Sequence, residues 1–294
     1  MSQPTNAPGA DTFAESWLAL REPADARARS RELAALTGSA LTGSALTGSA
    51  PFVVHDLGCG TGSMSRWLAP HLPGPQHWVL HDRDPGLLAR AASTVPRAAS
   101  TVPRGVDDVP VTVETRRDDV TALTAADLSG ASLVTASALL DLLTDDEVRN
   151  LATACATAGS PALFTLSVTG HVELTPADPL DAAVEAAFNG HQRRTVAGRR
   201  LLGPDAVDAA AQAFTRLGVP IEIRESPWLL GADTPALTAE WIRGWAGAAT
   251  EYAATEPGPS PDTRAYLARR LAEVADGTLR VAVGHADLFA AVHG

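Results

Sequence analysis

From Pro51 onward, apolar runs of strand length alternate with stretches of helix length. PFVVHD, QHWVLHD, VPVTVETR, ASLVTASAL and PALFTLSVTG read as strands; SMSRWLAPHL, PGLLARAAS and TDDEVRNLATACATAG read as helices between them. A strand followed by a helix and another strand needs a crossover, and crossovers build a parallel sheet with helices on both faces. VPIEIRES and TLRVAVGHADLFAA add two further strands. The expected fold is therefore α/β, a doubly wound, mostly parallel sheet of seven strands. A helix near 178–190 and the basic run HQRRTVAGRR interrupt the alternation, which marks 171–202 as an inserted cap. PDAVDAAAQAFTRLG, Leu237 to Tyr252 and Asp262 to Ala275 are further helices.

Two helices are expected ahead of the sheet, Asp11–Leu20 and Ala24–Leu36, broken at Pro23, with Asp25 in the first turn of the second. LTGSA then occurs three times, at 36–50, and AASTVPR twice, at 91–104. Units this short and few do not build a solenoid. They read as loop or half-helical filler, and deletion of one copy is expected to leave folding intact. The domain division is thus 1–50, N-terminal helices and repetitive linker, and 51–294, the sheet domain with its cap insertion.

The net charge of −11 opposes nonspecific contact with nucleic acid or an anionic membrane. Every one of the 23 basic residues is arginine, so Schiff-base and P-loop lysine chemistry are excluded. Two cysteines far apart, Cys59 and Cys155, form no disulfide framework. The opening MSQPTNAPGADTF has neither a basic nor an apolar signal region, so a cytoplasmic protein is expected.

The first strand runs into VVHDLGCGTGS at 53–63. Glycines at alternate positions let a ligand approach the backbone. The third spacing of a dinucleotide fingerprint holds Ser63 instead of glycine, and Asp56 would repel a pyrophosphate while suiting a cationic amine. The second strand ends in Asp82, placed to accept ribose hydroxyls. The third is followed by Asp118, Asp119 and Val120; a carboxylate there suits an exocyclic adenine amine, with Val120 against the ring. Acids at three successive strand ends describe an adenosine ligand that carries an amine.

On these residues the chain resembles the class I S-adenosylmethionine-dependent methyltransferases. VVHDLGCGTGS is similar to their first motif, VLHDRDP to the second, RRDDVTAL to the adenine segment and SLVTASALLDLL to the fourth-strand segment. The resemblance implies a Rossmann-like sheet with a reversed last strand and S-adenosylmethionine as cofactor. It places Gly58 and Gly60 against the methionine part, with its amine near Asp56, Asp82 on the ribose and Asp119 on the adenine amine. Cys59, Arg83, Val120 and Ser137 complete the expected cofactor set. The family often has Asp where Ser132 stands, and the repeated AASTVPR lengthens the path into the third strand.

Ligands of such sheets bind outside the carboxyl ends of the strands. Expected substrate contacts are Arg21, Asn189, Arg193, Arg194 and Trp228; the arginines suit a carboxylate or phosphate. His191 and Asp141 are the candidate catalytic bases, needed where an oxygen or ammonium nitrogen must lose a proton. Trp17, Trp241 and Trp245 read as packing, and His55 and His81 point away from the ligand side by strand alternation. No cluster has metal-ligand spacing, so no metal is expected. The resulting expectation is methylation of an O or N atom on a small molecule with an anionic group, by a monomer or homodimer without nucleic-acid or membrane partners. A non-catalytic cofactor binder and a nicotinamide-dependent oxidoreductase are the alternatives.

Overall fold

The structure, a computed structural model, describes residues 14–43, 50–99, 110–255 and 262–292. Its elements are α1 (Glu15–Ala28), α2 (Arg31–Gly43), β1 (Phe52–Leu57), α3 (Ser63–Leu68), β2 (Gln76–Asp82), α4 (Pro85–Ala99), β3 (Val111–Arg117), β4 (Leu133–Ser137), α5 (Asp145–Ala158), β5 (Ala162–Thr175), α6 (Asp181–Gln192), β6 (Thr195–Val196), β7 (Arg199–Arg200), α7 (Ala206–Arg216), β8 (Ile221–Glu225), β9 (Trp228–Leu230), α8 (Pro235–Thr255), α9 (Thr263–Ala275) and β10 (Arg280–Ala290). The main sheet has eight strands in the order β3-β2-β1-β4-β5-β10-β8, with β9 pairing the other end of β10. β1 to β5 are parallel, and β10 runs antiparallel to β5 and β8. The reversed strand was expected; β9 and the β6–β7 ribbon were not, because two or three residues carry no readable alternation.

Three apolar clusters hold the molecule. One packs α5 and α7 on β4, β5 and β10 through residues such as Leu143, Cys155, Phe164 and Phe214. A second packs α2, α3 and α4 on the other face, with Leu33, Leu41, Met64, Trp78 and Val95. The third lies away from the sheet centre and is aromatic: Trp228, Trp241, Trp245 and Tyr266 join Val172, Leu174, Val281 and Val283. It exists because β5 does not stop at Gly170, as expected, but continues to Thr175 paired with β10. That projecting ribbon gives α6, α8 and α9 a floor, and together they form the cap.

Helix ends follow local chemistry. Thr144 and Glu147 close a reciprocal capping box at the start of α5, and Gly159 ends it at φ 70°. Asp262 caps α9 by accepting from Ala265 N. The N-terminal pair differs from expectation. α1 runs through Pro23, whose ring faces solvent, and the break falls at Arg29–Ser30. Proline here leaves the Ala19 carbonyl without its helical donor, and Ala19 is exposed. The actual break is held from outside: Asp287 of β10 accepts from Ser30 N at 2.7 Å. Asp25, expected to open the second helix, is buried inside α1. The first copies of LTGSA and AASTVPR are helical, not loop, and Thr37, Ala91 and Val95 within them are buried. Residues 44–49 and 100–104 of the later copies lie outside the described residues.

Candidate active site at the strand tips

The glycine loop joins β1 to α3. Gly58, Gly60 and Gly62 have φ of 61°, 54° and 82°, a left-handed run that only glycine adopts freely. A β-carbon at Gly62 would stand 2.7 Å from Val95 Cγ2, so this glycine serves the α3–α4 packing. Gly58 and Gly60 face outward from the strand tips, met only by the side-chain ends of Leu139 and Leu18.

Asp82 is bound into this loop. Its Oδ2 accepts from Gly60 N (2.9 Å) and its Oδ1 from Asp84 N (2.9 Å), which sets the carboxylate beside the bare backbone. Asp119, at the tip of β3, caps the turn Val120–Ala122 by accepting from Thr121. Partial burial works against its charge, but the Thr121 hydrogen bonds and the charge of Arg83 hold its carboxyl below the usual range. Arg83 and Asp119 are thus neighbours across the tips of β2 and β3. Cys59 is buried, its N–H on the His81 carbonyl. Ser132 Oγ accepts from Val53 N, so the serine found where the family often has an acid joins β4 to β1.

Asp56 departs from expectation. It is 0% exposed, and its oxygens accept from Ser65 Oγ (2.8 Å) and Thr135 Oγ1 (2.9 Å). Burial raises its pKa to about 6, against those two hydrogen bonds. It braces β1 against α3 and β4 and does not face a ligand amine.

The residue that sequence reasoning missed is Arg29. The helix break turns it inward, where its side chain is 0% exposed. Nη2 donates to Ser63 Oγ (3.1 Å) and Ser137 Oγ (3.0 Å), the start of α3 and the tip of β4. Among the described residues nothing accepts from its Nε or Nη1. The nearest carboxylate is Asp25, at 4.0 Å from Nη2. A buried cation with open donors is costly unless an anion joins it. Arg29 stands among several arginines in REPADARARSRE, and nothing in that run singles it out; its position depends on Asp287, more than 250 residues away.

Across the tip of β4, four residues beyond Ser137, lies Asp141. Its Oδ1 is buried without a donor. Burial raises its pKa, while its own backbone N–H and the charges of Arg21 and Arg194 pull it back. The charges of Arg21 and Arg194 thus act on the Asp141 carboxyl. Asn189 Nδ2 donates to the Gly170 carbonyl (2.7 Å), and its Oδ1 is also buried and unpaired. Arg21 bonds Asp25 and lies over the Trp228 ring at 5.2 Å. Trp228 is itself buried with its indole N–H on Asp25, so it supports Arg21 and offers no open face.

Two other expectations change. His191 Nε2 meets Glu251 (3.1 Å) and Nδ1 meets Arg194 Nη1 (3.4 Å). Burial, aided by Arg194, lowers its pKa, and neither ring nitrogen is open to take a proton from a substrate. Arg193 is clamped on Asp205 through Nε and Nη2, both at 2.6 Å, so its charge is already spent. Among the described residues no cluster of His, Cys, Asp and Glu forms a metal site, and no helix is long and apolar enough to cross a membrane.

Residues 54–162 match a family model described as a methyltransferase domain. This segment is similar to a methyltransferase domain. Chains of similar fold include an S-adenosylmethionine-dependent methyltransferase from Geobacter sulfurreducens in complex with S-adenosylhomocysteine, 15% identical over 94% of this chain and 98% of that one, with a TM-score of 0.44. A second, from Thiobacillus denitrificans, is 16% identical with the same coverage and a TM-score of 0.43. A phosphoethanolamine N-methyltransferase from Haemonchus contortus is 15% identical over 96% of this chain and 58% of that one, with a TM-score of 0.42. No curated protein sequence matches the chain.

The cofactor of the family is S-adenosylmethionine, and the residues present fit it. Arg29 offers two buried donors suited to the methionine carboxylate. Asp82 beside Gly60 suits the ribose diol, and Asp119 suits the adenine amine.

Proposed function

We propose that the methyltransferase acts on a small molecule that carries an anionic group and presents an N–H or O–H as methyl acceptor. The observation that carries this reading is the buried, unpaired Oδ1 of Asp141, on whose carboxyl the charges of Arg21 and Arg194 act. An unsatisfied buried acceptor costs about 1–3 kcal/mol, and a donor on the substrate removes that cost. Asp141 thus orients the acceptor atom, and its raised pKa suits it to take the proton that an oxygen or ammonium nitrogen releases. Arg194 and Arg21 hold the anionic group, and Asn189 Oδ1 accepts a second hydrogen bond. S-adenosylmethionine, when bound, supplies an electrophilic methyl on sulfur. The protein's remaining task is alignment, which Arg29, Asp82 and Asp119 serve from the cofactor side.

The test joins calorimetry with S-adenosylhomocysteine to methyl transfer from labelled S-adenosylmethionine, over a panel of anionic amines and alcohols. The reading expects binding, product with at least one class, and kcat rising with pH through the raised pKa of Asp141. In Asp141→Asn that rise should vanish and turnover should drop, with homocysteine-form binding unchanged. A wild type that does not bind the cofactor overturns the whole reading. Binding with full turnover by Asp141→Asn overturns the role of Asp141.

A further inference from the structure

On the face of the sheet turned away from the cofactor acids, three polar side chains form a line. His55 Nδ1 meets His81 Nε2 at 3.0 Å, and His81 Nδ1 meets Asp118 Oδ2 at 3.0 Å and Oδ1 at 3.1 Å. His55 is 3% and His81 0% exposed, and their rings stack at 5.1 Å. A carboxylate only accepts, so His81 Nδ1 carries a proton. With Nε2 of His81 unprotonated, it accepts and His55 donates from Nδ1.

The line crosses β1, β2 and the residue after β3. Each member immediately precedes one of the acids of the glycine-loop region: His55 precedes Asp56, His81 precedes Asp82, and Asp118 precedes Asp119. The main chain of His81 also accepts from Cys59 N and so holds the glycine loop. β3 is the edge strand, and residues 114–117 at its tip are all exposed. Apolar packing therefore does little to fix the tip from which Asp119 projects. Side-chain links from there to β2 and its end are Asp118 to His81 and, on the exposed side, Glu114 to His77 and Arg117 Nε to the Arg83 carbonyl; only the first reaches a fully buried partner.

We infer that Asp118–His81–His55 is a positioning chain that sets the separation of Asp82 and Asp119, and with it the grip on the adenosine half of the cofactor. The inference rests on the cofactor reading above. The three residues touch no ligand. They act by holding the tips of β2 and β3 at one spacing.

The experiment is calorimetric titration of the full chain with S-adenosylhomocysteine, for wild type, His81→Leu, His55→Leu, His55→Asn and Asp118→Ala, each with its melting temperature. Losing a hydrogen bond of the chain should weaken binding about 3- to 10-fold in the two leucine variants and in Asp118→Ala. His55→Asn keeps an N–H where Nδ1 stands and should bind within about twofold of wild type. Asp118 is partly exposed, so its truncation tests the idea even where a leucine variant fails to fold. A folded Asp118→Ala with wild-type affinity overturns the inference. So does a His55→Asn as weak as His55→Leu, since packing alone would then explain the loss. Failure of the wild type to bind would strike the cofactor reading instead, which keeps the two failures apart.

Discussion

The cofactor half of the molecule and its cap are built by different rules. In the first, polar groups at the strand tips are spent on one another: Asp56 on Ser65 and Thr135, Asp82 on Gly60 and Asp84, Asp119 on Thr121. The cap is held by a buried aromatic cluster on a projecting β5–β10 ribbon, and the polar groups it turns toward the site are left partly unpaired. Two buried orphans of opposite charge stand near the tip of β4, Arg29 after α1 and Asp141 in the turn that follows the strand. Unpaired buried side-chain groups cost stability, and among the described residues all of them but Arg270 Nε belong to Arg29, Asp141 and Asn189.

The contrast can be broken most severely at Asp141. Asp141→Asn should lower kcat roughly 100-fold or more, as expected for loss of a proton acceptor, with homocysteine-form affinity within about twofold. If affinity falls instead, Asp141 belongs to the cofactor half. Arg29→Met comes next: homocysteine-form binding should weaken about 10- to 100-fold, the size of a lost charged hydrogen bond, while adenosine binds as before. Its melting temperature should stay level or rise, because a buried cation without its anion is replaced by an apolar chain of similar length. A parallel loss for adenosine would mean that Arg29 shapes the fold and does not read a carboxylate.

Titration sharpens the same contrast. His55 and His285 are buried neutral, each with a pKa lowered to about 4, chiefly by burial. Their stabilising contribution is complete above the unfolded value near 6.5 and is lost as pH falls through 4. Asp56, raised to about 6, works in the opposite sense over its own window and loses its contribution as pH rises through 6. Replacing His55 by Asn should make the acid-side decline shallower by at most about 1.4 kcal/mol per pH unit, one proton's worth. Urea melts at pH 4.5, 5.5 and 6.5 measure it, and an unchanged slope would mean that His55 is not buried neutral. Smaller effects belong to the cap surface. His191→Gln should change kcat less than about fivefold, since both ring nitrogens are already engaged, against the roughly 100-fold expected of a true base. Arg193→Ala should cost about 1 kcal/mol or less of stability, as for an exposed ion pair, with KM unchanged.

What the sequence made legible follows the same division. Parallel strands buried on both faces announce themselves as apolar runs, and β1, β2 and β4 fall within about two residues of expectation. The capping box of α5 and the reversed β10 were also readable, because their signals are local or belong to the family. Asp82 and Asp119 stand at strand ends, where the pattern points. Arg29 was not readable: its helix break is imposed by Asp287 from the far end of the chain, while Pro23, the local signal, faces solvent and breaks nothing. His191 and Arg193 looked functional by residue type, but Glu251 and Asp205 claim them, and no spacing in the sequence foretells those partners. Asp56 was assigned to a ligand by its motif, and strand alternation alone could not show that Ser65 and Thr135 would enclose it.

One helix crosses the line between the halves. Leu18 of α1 ends over Gly60, Arg21 lies over Trp228 and acts through its charge on Asp141, and Arg29 closes its C-terminus on Ser63 and Ser137. These contacts sit on a single rod, so a tilt that changes one changes all three. Under the proposed function, cofactor and acceptor are read by the same helix, and whatever factor one ligand adds to the other's affinity must be returned in equal measure.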